Sequence, residues 1–149
     1  RGLGDVYKRQ MYAVELGDLR MAAVVAVNAL GDIFDPSTGK KIAGLRTADG
    51  TSFGDSCEEL WKMGRRENLF TGNTTIGAVF TNGKFNKAQM NKIASMTRNA
   101  YARCINPVGT MADGDSIYAA SAGDVEADLN VAGTLAAYVM ERAIVAAIR

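Results

Sequence analysis

Residues 72–81 read Gly72-Asn73-Thr74-Thr75-Ile76-Gly77-Ala78-Val79-Phe80-Thr81. A polar, loop-like approach runs here directly into an apolar segment with β-branched residues, which predicts a strand over residues 74–81. A threonine at such a junction can become a new N-terminus if the chain is cut before it. Its hydroxyl is then the nucleophile and its freed α-amine the base, so one residue carries both catalytic groups. This chemistry needs no histidine, and the chain has none.

Composition limits the possible classes of protein. A chain of 149 residues with 48% hydrophobic content forms about one domain, or a piece of one. The net charge of +1, with both signs interspersed, predicts neither a nucleic-acid partner nor a membrane partner. Cys57 and Cys104 match no metal-ligand or CxxC spacing. We therefore expect a reducing, cytoplasmic compartment, although a signal sequence would lie upstream of the residues shown.

The first half of the chain contains strands and a long irregular segment. Residues 1–10, RGLGDVYKRQ, look like translated sequencing-adaptor read-through, and we set them aside as non-native. The protein is expected to begin near Met11 or Tyr12 and to enter a core strand at once. Residues 19–29 are predicted to form a buried strand with Asn28 as the lone polar group at its end. Residues 35–39 mark a turn, and residues 44–73 read as a long loop or linker.

The second half alternates strand and helix patterns. Asn82-Gly83 is a turn signal that should end the strand begun at Thr74. A helix is predicted from an N-cap at Asn86 to the region closed by Pro107. Residues 116–122 read as a second buried strand. Residues 128–148 form a helix that is apolar almost all round, and we favour its burial in a protein core over a membrane span because Glu141-Arg142 interrupt the apolar run.

Three polar groups are candidates for chemistry, and each has a structural alternative. On local sequence alone, Asn73-Thr74-Thr75 is more typical of a strand-entry turn or a chance glycosylation sequon than of a self-cleavage site. Asp113-Gly114-Asp115 places two carboxylates around a glycine before a strand, a pattern that is also typical of a turn or of a weak cation site. The Asn28 side chain has an NH₂ group suited to stabilising an oxyanion, or it is a satisfied structural amide.

Two stretches of the chain carry a family resemblance. They are NTTIGAVFTNGKFNKAQMNKIASMTRNAYARCINPVGTMADGDSIYAAS at residues 73–121 and DLNVAGTLAAYVMERAIVAAI at residues 128–148. Together they resemble the C-terminal half of DmpA-like L-aminopeptidase/D-esterases, a family that includes nylon-oligomer hydrolases. The upstream run VVAVNALGDIFDPSTGKKIAG at residues 24–44 is similar to the family's central strand and turn. The resemblance therefore covers nearly everything from about Leu19 to the end.

The resemblance implies a set of site residues. Members are made as one precursor that cuts itself before a Ser or Thr, which places the cut between Asn73 and Thr74. Residues 11–73 would then be the C-terminal part of the α portion, and residues 74–149 the β portion. Asp113 and Asp115 match the acidic pair of nylon-hydrolase-like members, where some aminopeptidases have Ser-Gly-Glu, and Asn28 matches the oxyanion asparagine. Members of the nylon-hydrolase type also use a lysine farther upstream, a role that we do not transfer to Lys40 or Lys41.

The resemblance also implies a fold and an activity. The family fold is a four-layer α-β-β-α sandwich, shared with the ornithine acetyltransferase group, of which this chain would be an incomplete fragment. The expected activity is hydrolysis of amide or peptide bonds in small substrates through an acyl-enzyme, with no metal or organic cofactor. The two portions would stay associated and assemble as a homo-oligomer, a tetramer of αβ units. The alternatives are acyl transfer of the ornithine acetyltransferase type and an inactive truncated fragment.

Overall fold

Seven strands and three helices make up the part of the chain that the computed structural model describes, residues 8–64 and 73–148. In chain order they are β1 (Lys8–Leu16), β2 (Leu19–Val27), β3 (Asp32–Asp35), β4 (Lys40–Ala43), α1 (Ser56–Met63), β5 (Ile76–Gly83), α2 (Lys87–Cys104), β6 (Ile105–Asn106), β7 (Ser116–Val125) and α3 (Leu129–Ile148). The main sheet has the order β1-β2-β5-β7, and a small sheet has the order β4-β3-β6. The predicted α/β class is confirmed.

The connections explain the directions of the strands. β1 and β2 form an antiparallel hairpin whose turn includes Gly17 at a φ of +57°, a conformation that glycine adopts without steric penalty. β2 pairs with β5 antiparallel, and β5 pairs with β7 parallel. A parallel pair needs a crossover connection, which α2 supplies. In the small sheet, the predicted turn at residues 35–39 joins β3 to β4 and is closed by the bond from Gly39 N to Asp35 O at 2.8 Å.

One face of the main sheet is covered by α2 and α3. Alternate residues of β2 point into this core, and Met21, Ala23 and Val25 are each at most 1% exposed. The predicted helix start is confirmed, because Asn86 and Gln89 form a reciprocal capping box at the first turn of α2. The buried residues of α2 recur at helical spacing and are Met90, Ile93, Thr97, Ala100, Tyr101 and Cys104.

Helix α3 forms where a core helix is predicted, but only one side of it is buried. It packs against α2 and against β1 and β2, and its buried residues include Ala136, Val139, Met140 and Ile144. By length and composition alone this helix could cross a membrane, and half of its apolar window is buried inside the fold. Small residues dominate its buried side, which lets the helix approach the sheet and α2 closely.

The opposite face of the main sheet is apolar and exposed. Val24 is 41% exposed, Phe80 47% and Tyr118 65%. The two strands predicted as buried at residues 19–29 and 116–122 are present as β2 and β7, but β2 is buried on one face only and β7 is a partly exposed edge strand. An apolar residue at every position is typical of a strand covered on both faces, but the described residues supply a cover for only one.

Two boundaries in the first half of the chain differ from the predictions. The segment at residues 44–73 contains α1, whose N-cap Asp55 accepts hydrogen bonds from Cys57 N at 2.8 Å and Glu58 N at 3.0 Å. A helix of two turns is too short to show a clear period, so it was read as a linker; residues 65–72 of that segment lie outside the described residues. β1 begins at Lys8, inside the segment set aside as non-native, and Arg9 pairs with Ala26. The non-native origin of residues 1–10 stays a prediction.

The turn expected at Asn82-Gly83 was also wrong. β5 continues through both residues, and Gly83 pairs with Val125 of β7. Asn82 accepts a bond from Arg20 N at 2.7 Å and donates one to Asp18 O at 2.9 Å. The asparagine side chain therefore extends the pairing of β5 with the start of β2, where local sequence alone indicates a reversal.

Candidate active site

The end of β2 and the starts of β5 and β7 lie side by side at one end of the main sheet. β2 ends just before Asn28 and runs antiparallel to β5, which begins just after Thr75, so residues 28 and 74 become neighbours. The Thr74 N–H donates to the Asn28 carbonyl at 2.9 Å. β7 starts parallel to β5, which places residues 113–115 beside residues 73–75. The structure thus brings together all the site residues that the sequence predicted.

The carbonyl of Asn73 is the best-defined polar centre of this site. Its oxygen accepts a hydrogen bond from the Thr74 Oγ1 hydroxyl at 2.7 Å and another from the Gly114 N–H at 3.1 Å. Both Asn73 and Thr74 are partly buried. The hydroxyl of the predicted nucleophile therefore lies against the carbonyl group that it would attack.

Asp115 is held at this site by Thr75, the residue that follows Thr74. Its Oδ1 accepts the Thr75 N–H at 2.7 Å. Burial raises the pKa of the Asp115 carboxyl above its ordinary value of 3.8, and the negative charge of Asp113 acts in the same direction. The hydrogen bond from Thr75 and the positive charge of Arg98 lower that pKa without cancelling the effect of burial.

Asp113 has a different environment from Asp115. Its Oδ2 accepts hydrogen bonds from Thr110 N and Thr110 Oγ1, each at 2.8 Å. These bonds close the turn at residues 110–113, where the Asp113 N–H also donates to the Thr110 carbonyl at 3.1 Å. Asp113 thus shapes the loop that presents Gly114 and Asp115 to Thr74. Its predicted role as an acid that supports Thr74 directly is not tested by these contacts.

Asn28 contacts the site through its main-chain carbonyl group. Its carbonyl receives the Thr74 N–H, and the same carbonyl is placed to hold an α-amine if Thr74 becomes an N-terminus. The predicted oxyanion role of the Asn28 side chain stays a prediction. The lysines that we declined to assign to catalysis lie on β4, and Lys41 forms an ion pair with Asp32 at 2.6 Å.

Three residues of the site surroundings were missed by the sequence analysis. The first is Gly114, because a Cβ at this position would lie 2.8 Å from Thr74 Oγ1. The second is Tyr101, whose buried hydroxyl lies 3.4 Å from both Thr75 O and Ser116 O and can donate its one proton to either. The third is Arg98, which lines a cavity of about 260 Å³ with Tyr101 and Asp115. No sequence signal separates these residues from an ordinary turn glycine, core aromatic or surface cation.

Thr75 has an unusual position behind the site. Its side chain is fully buried, and its Oγ1 has no hydrogen-bond partner among the described groups. A larger cavity of about 590 Å³ opens on the exposed sheet face near Arg20, Phe80 and Asn82, at the far ends of the strands from Thr74. In residues 8–64 and 73–148 no three His, Cys, Asp or Glu side chains cluster as metal ligands.

Comparison with solved structures identifies the class of fold. The chain is similar to the L-aminopeptidase D-Ala-esterase/amidase from Ochrobactrum anthropi, described as a variant of the Ntn hydrolase fold, with a TM-score of 0.60 and 17% identity over 95% of this chain and 40% of that one. A Burkholderia sp. β-aminopeptidase is similar with a TM-score of 0.54 and 15% identity, over 93% of this chain and 40% of that one. The described sheet and helices therefore have the N-terminal-nucleophile hydrolase fold.

Sequence comparison then identifies the family. Residues 9–149 match the model of peptidase family S58, and the chain belongs to this family. An uncharacterized aminopeptidase of Mycobacterium leprae (strain TN) is 32% identical over 72% of this chain and 30% of the relative. A 6-aminohexanoate-oligomer endohydrolase of Kocuria sp. (strain KY2) is 28% identical over 84% of this chain and 34% of the relative. The chain thus spans about a third of the length of these curated relatives, and the predicted family resemblance is confirmed.

Proposed function

We propose that this chain cuts itself between Asn73 and Thr74 and that Thr74 then serves as the nucleophile of an amide hydrolase. The observation that carries the proposal is the pair of hydrogen bonds from Thr74 Oγ1 and Gly114 N to the Asn73 oxygen. Membership of a peptidase family supports hydrolysis over acyl transfer. The substrate class that we propose is small peptides or amides, in keeping with the names of the relatives.

Self-cleavage would proceed in two steps, an acyl shift and an ester hydrolysis. The Thr74 hydroxyl oxygen attacks the Asn73 carbonyl carbon, the Asn73–Thr74 C–N bond breaks, and the hydroxyl proton passes to the Thr74 nitrogen. The resulting ester is then hydrolysed by one water, which leaves a carboxylate on Asn73 and a free hydroxyl on Thr74, and the remaining proton passes to the Thr74 α-amine. An α-amine titrates near pH 7.7–8.0, so part of it is neutral at physiological pH and accepts the hydroxyl proton in later turnovers.

The surroundings of Thr74 suit the cut form as well. The Asn28 carbonyl is placed to accept a hydrogen bond from the new amine. The Asp115 carboxylate, which accepts the N–H of the adjacent Thr75, would balance the positive charge of that amine. An amide substrate would take the place of Asn73 at the same hydroxyl. Thr74 would form an acyl-enzyme with it, and water would release the acid.

The fold explains why the two portions would stay together after the cut. β1 and β2 precede the cut, whereas β5, α2, β7 and α3 follow it. β2 is hydrogen-bonded to β5 over six residue pairs, and α3 packs against both β1 and β2. Separation would expose the core between them, so the hydrophobic effect opposes it.

The test is the intact mass of the purified chain, followed over time, together with hydrolysis of small aminoacyl amides and 6-aminohexanoate oligomers. We expect two fragments, the second with Thr74 at its N-terminus. Thr74→Ala should stay uncut and should hydrolyse nothing, whereas the matched control Thr75→Val should behave as wild type. Adding acetylornithine and glutamate and looking for acetylglutamate tests the acyl-transfer alternative.

Two outcomes would contradict the proposal. Hydrolysis that survives Thr74→Ala would show that another group is the nucleophile. A wild-type chain that is folded by circular dichroism, yet stays uncut and inactive, would favour the alternative of an inert fragment.

A further inference from the structure

Gly114 lies at the point where the sheet ladder reaches the bond to be cut. The parallel pairing of β5 with β7 is extended by the bridge between Asn73 and Asp113. Within this extension the Ser116 N–H donates to Thr75 O at 3.1 Å, and the Gly114 N–H donates to Asn73 O at the same distance. The second of these ladder bonds therefore ends on the carbonyl oxygen that becomes negatively charged when Thr74 attacks.

We infer that the main-chain N–H of Gly114 is an oxyanion-hole donor for the self-cleavage reaction. This inference rests on the proposed function and names a group that acts on the reacting carbonyl. An N–H that is fixed before the reaction stabilises developing charge without having to reorient, which is the condition for efficient oxyanion stabilisation. Here the sheet fixes it, because the donor belongs to the hydrogen-bonded entrance of β7.

The glycine at position 114 also leaves room for the side chain of Thr74. A Cβ on Gly114 would lie 2.8 Å from Thr74 Oγ1 and 3.6 Å from Thr74 Cγ2. The Thr74 side chain therefore packs directly on the Cα of Gly114, which restricts where its hydroxyl can lie. One residue thus positions the nucleophile through its missing side chain and polarises the carbonyl through its N–H.

The two flanking carboxylates fit this arrangement without taking the place of the donor. Asp113 Oδ2 accepts bonds within its own turn, and Asp115 Oδ1 accepts the Thr75 N–H. Both are acceptors when ionised, so neither can stabilise an oxyanion. In Asp113-Gly114-Asp115, the two carboxylates therefore orient the loop and the chain around Thr74. The N–H of the glycine between them contacts the reacting oxygen.

The decisive experiment removes the N–H and leaves the side chains unchanged. Cys57 and Cys104 divide the chain into three segments suited to chemical synthesis and ligation at cysteine. In one chain the amide N–H of Gly114 is replaced by an ester oxygen, and in a control chain the N–H of Ser116 is replaced in the same way. The control loses a bond of the same length in the same extension of the ladder, so it reproduces the structural effect without touching Asn73.

We expect the Gly114 ester to slow the appearance of the 74–149 fragment by about 10²–10³-fold, the effect of losing one oxyanion donor. The Ser116 ester should stay within about tenfold of the all-amide chain, because the net value of one ladder bond is about 0.5–1.5 kcal/mol. A Gly114 ester that cuts at the wild-type rate, or two esters that slow the reaction equally, would overturn the inference.

A second readout does not depend on cutting. In a Thr74→Ala chain with a ¹³C label on the Asn73 carbonyl, the Gly114 ester should move the labelled infrared band to higher frequency, and the Ser116 ester should not. An unchanged band would contradict the inference. Failure of the proposed function is recognised separately, by a folded all-amide chain that never cuts.

Discussion

Replacement of Thr75 by valine should stabilise the protein, although it changes the residue next to the predicted nucleophile. The Thr75 hydroxyl is fully buried and has no hydrogen-bond partner among the described groups. Protein mutational data put the penalty for such a hydroxyl at about 1–3 kcal/mol. Valine has nearly the same shape and a higher preference for strands, so we expect a gain of about 1–2 kcal/mol in the free energy of unfolding.

Thr81→Val is the matched control, because Thr75 directly precedes β5 and Thr81 lies within it, and both side chains are buried. Thr81 is 6% exposed, but its hydroxyl donates to Arg20 O at 2.9 Å and accepts the Gly83 N–H at 3.0 Å. Valine here would leave both backbone groups without this partner, so we expect a loss of about 1–3 kcal/mol. The two substitutions remove the same atom and should therefore change stability in opposite directions.

The assay is urea unfolding followed by circular dichroism, performed in the uncut Thr74→Ala background so that every chain has the same covalent state. Equal m-values for the variants would justify a direct comparison of midpoints. A destabilisation by Thr75→Val of more than about 1 kcal/mol would refute the reasoning, because it would show that the hydroxyl has a favourable partner in the native protein.

Three further outcomes are expected. Burial raises the pKa of Asp115, and the positive charge of Arg98 lowers it. Arg98→Met should therefore raise this pKa and move the acidic limb of the self-cleavage pH–rate profile to higher pH. Lys92→Met, on the same helix, should not move it. Asp32→Asn should lower the free energy of unfolding by about 3–5 kcal/mol, measured by thermal unfolding, because it breaks the buried ion pair with Lys41. Burial opposes ionisation of Asp32, but its hydrogen bonds lower its pKa below 3.8, so this stabilisation is present above pH 3.8 and lost as the pH falls through the lowered value. Asn86→Ala should cost about 1 kcal/mol of stability, measured by urea unfolding, because it removes the cap of α2.

Periodic elements of the fold could be predicted from the sequence because their signals are local. The N-cap at Asn86, the helical spacing of α2 and the apolar length of α3 are all confirmed. Each depends on residues within a few turns of one another, and such patterns survive without knowledge of the rest of the molecule. The short helix α1 could not be predicted because two turns show no clear period. The extension of β5 through Asn82-Gly83 could not be predicted because it depends on hydrogen bonds to distant residues.

The buried polar cluster around Asp32 illustrates what local sequence omits. Asp32 is 2% exposed and accepts bonds from Lys41 Nζ, Leu45 N, Ser56 N and Ser56 Oγ. It thereby fastens β4, the following loop and the start of α1 to β3. Four donor groups on three residues, the farthest of them 24 positions along the chain from Asp32, leave no recognisable motif, so local sequence indicates only an irregular linker after residue 44.

The identity of the candidate site residues came from the sequence, and their arrangement came from the tertiary structure. Thr74, Asp113, Asp115 and Asn28 stand out as polar groups at the ends of apolar runs, and the family resemblance gave each a predicted role. Only the antiparallel and parallel pairing of β5 with its two neighbours places them at one edge of the sheet. The N–H of Gly114 has no sequence signature at all, because every residue except proline carries one; the register of two strands alone decides that it meets the Asn73 carbonyl.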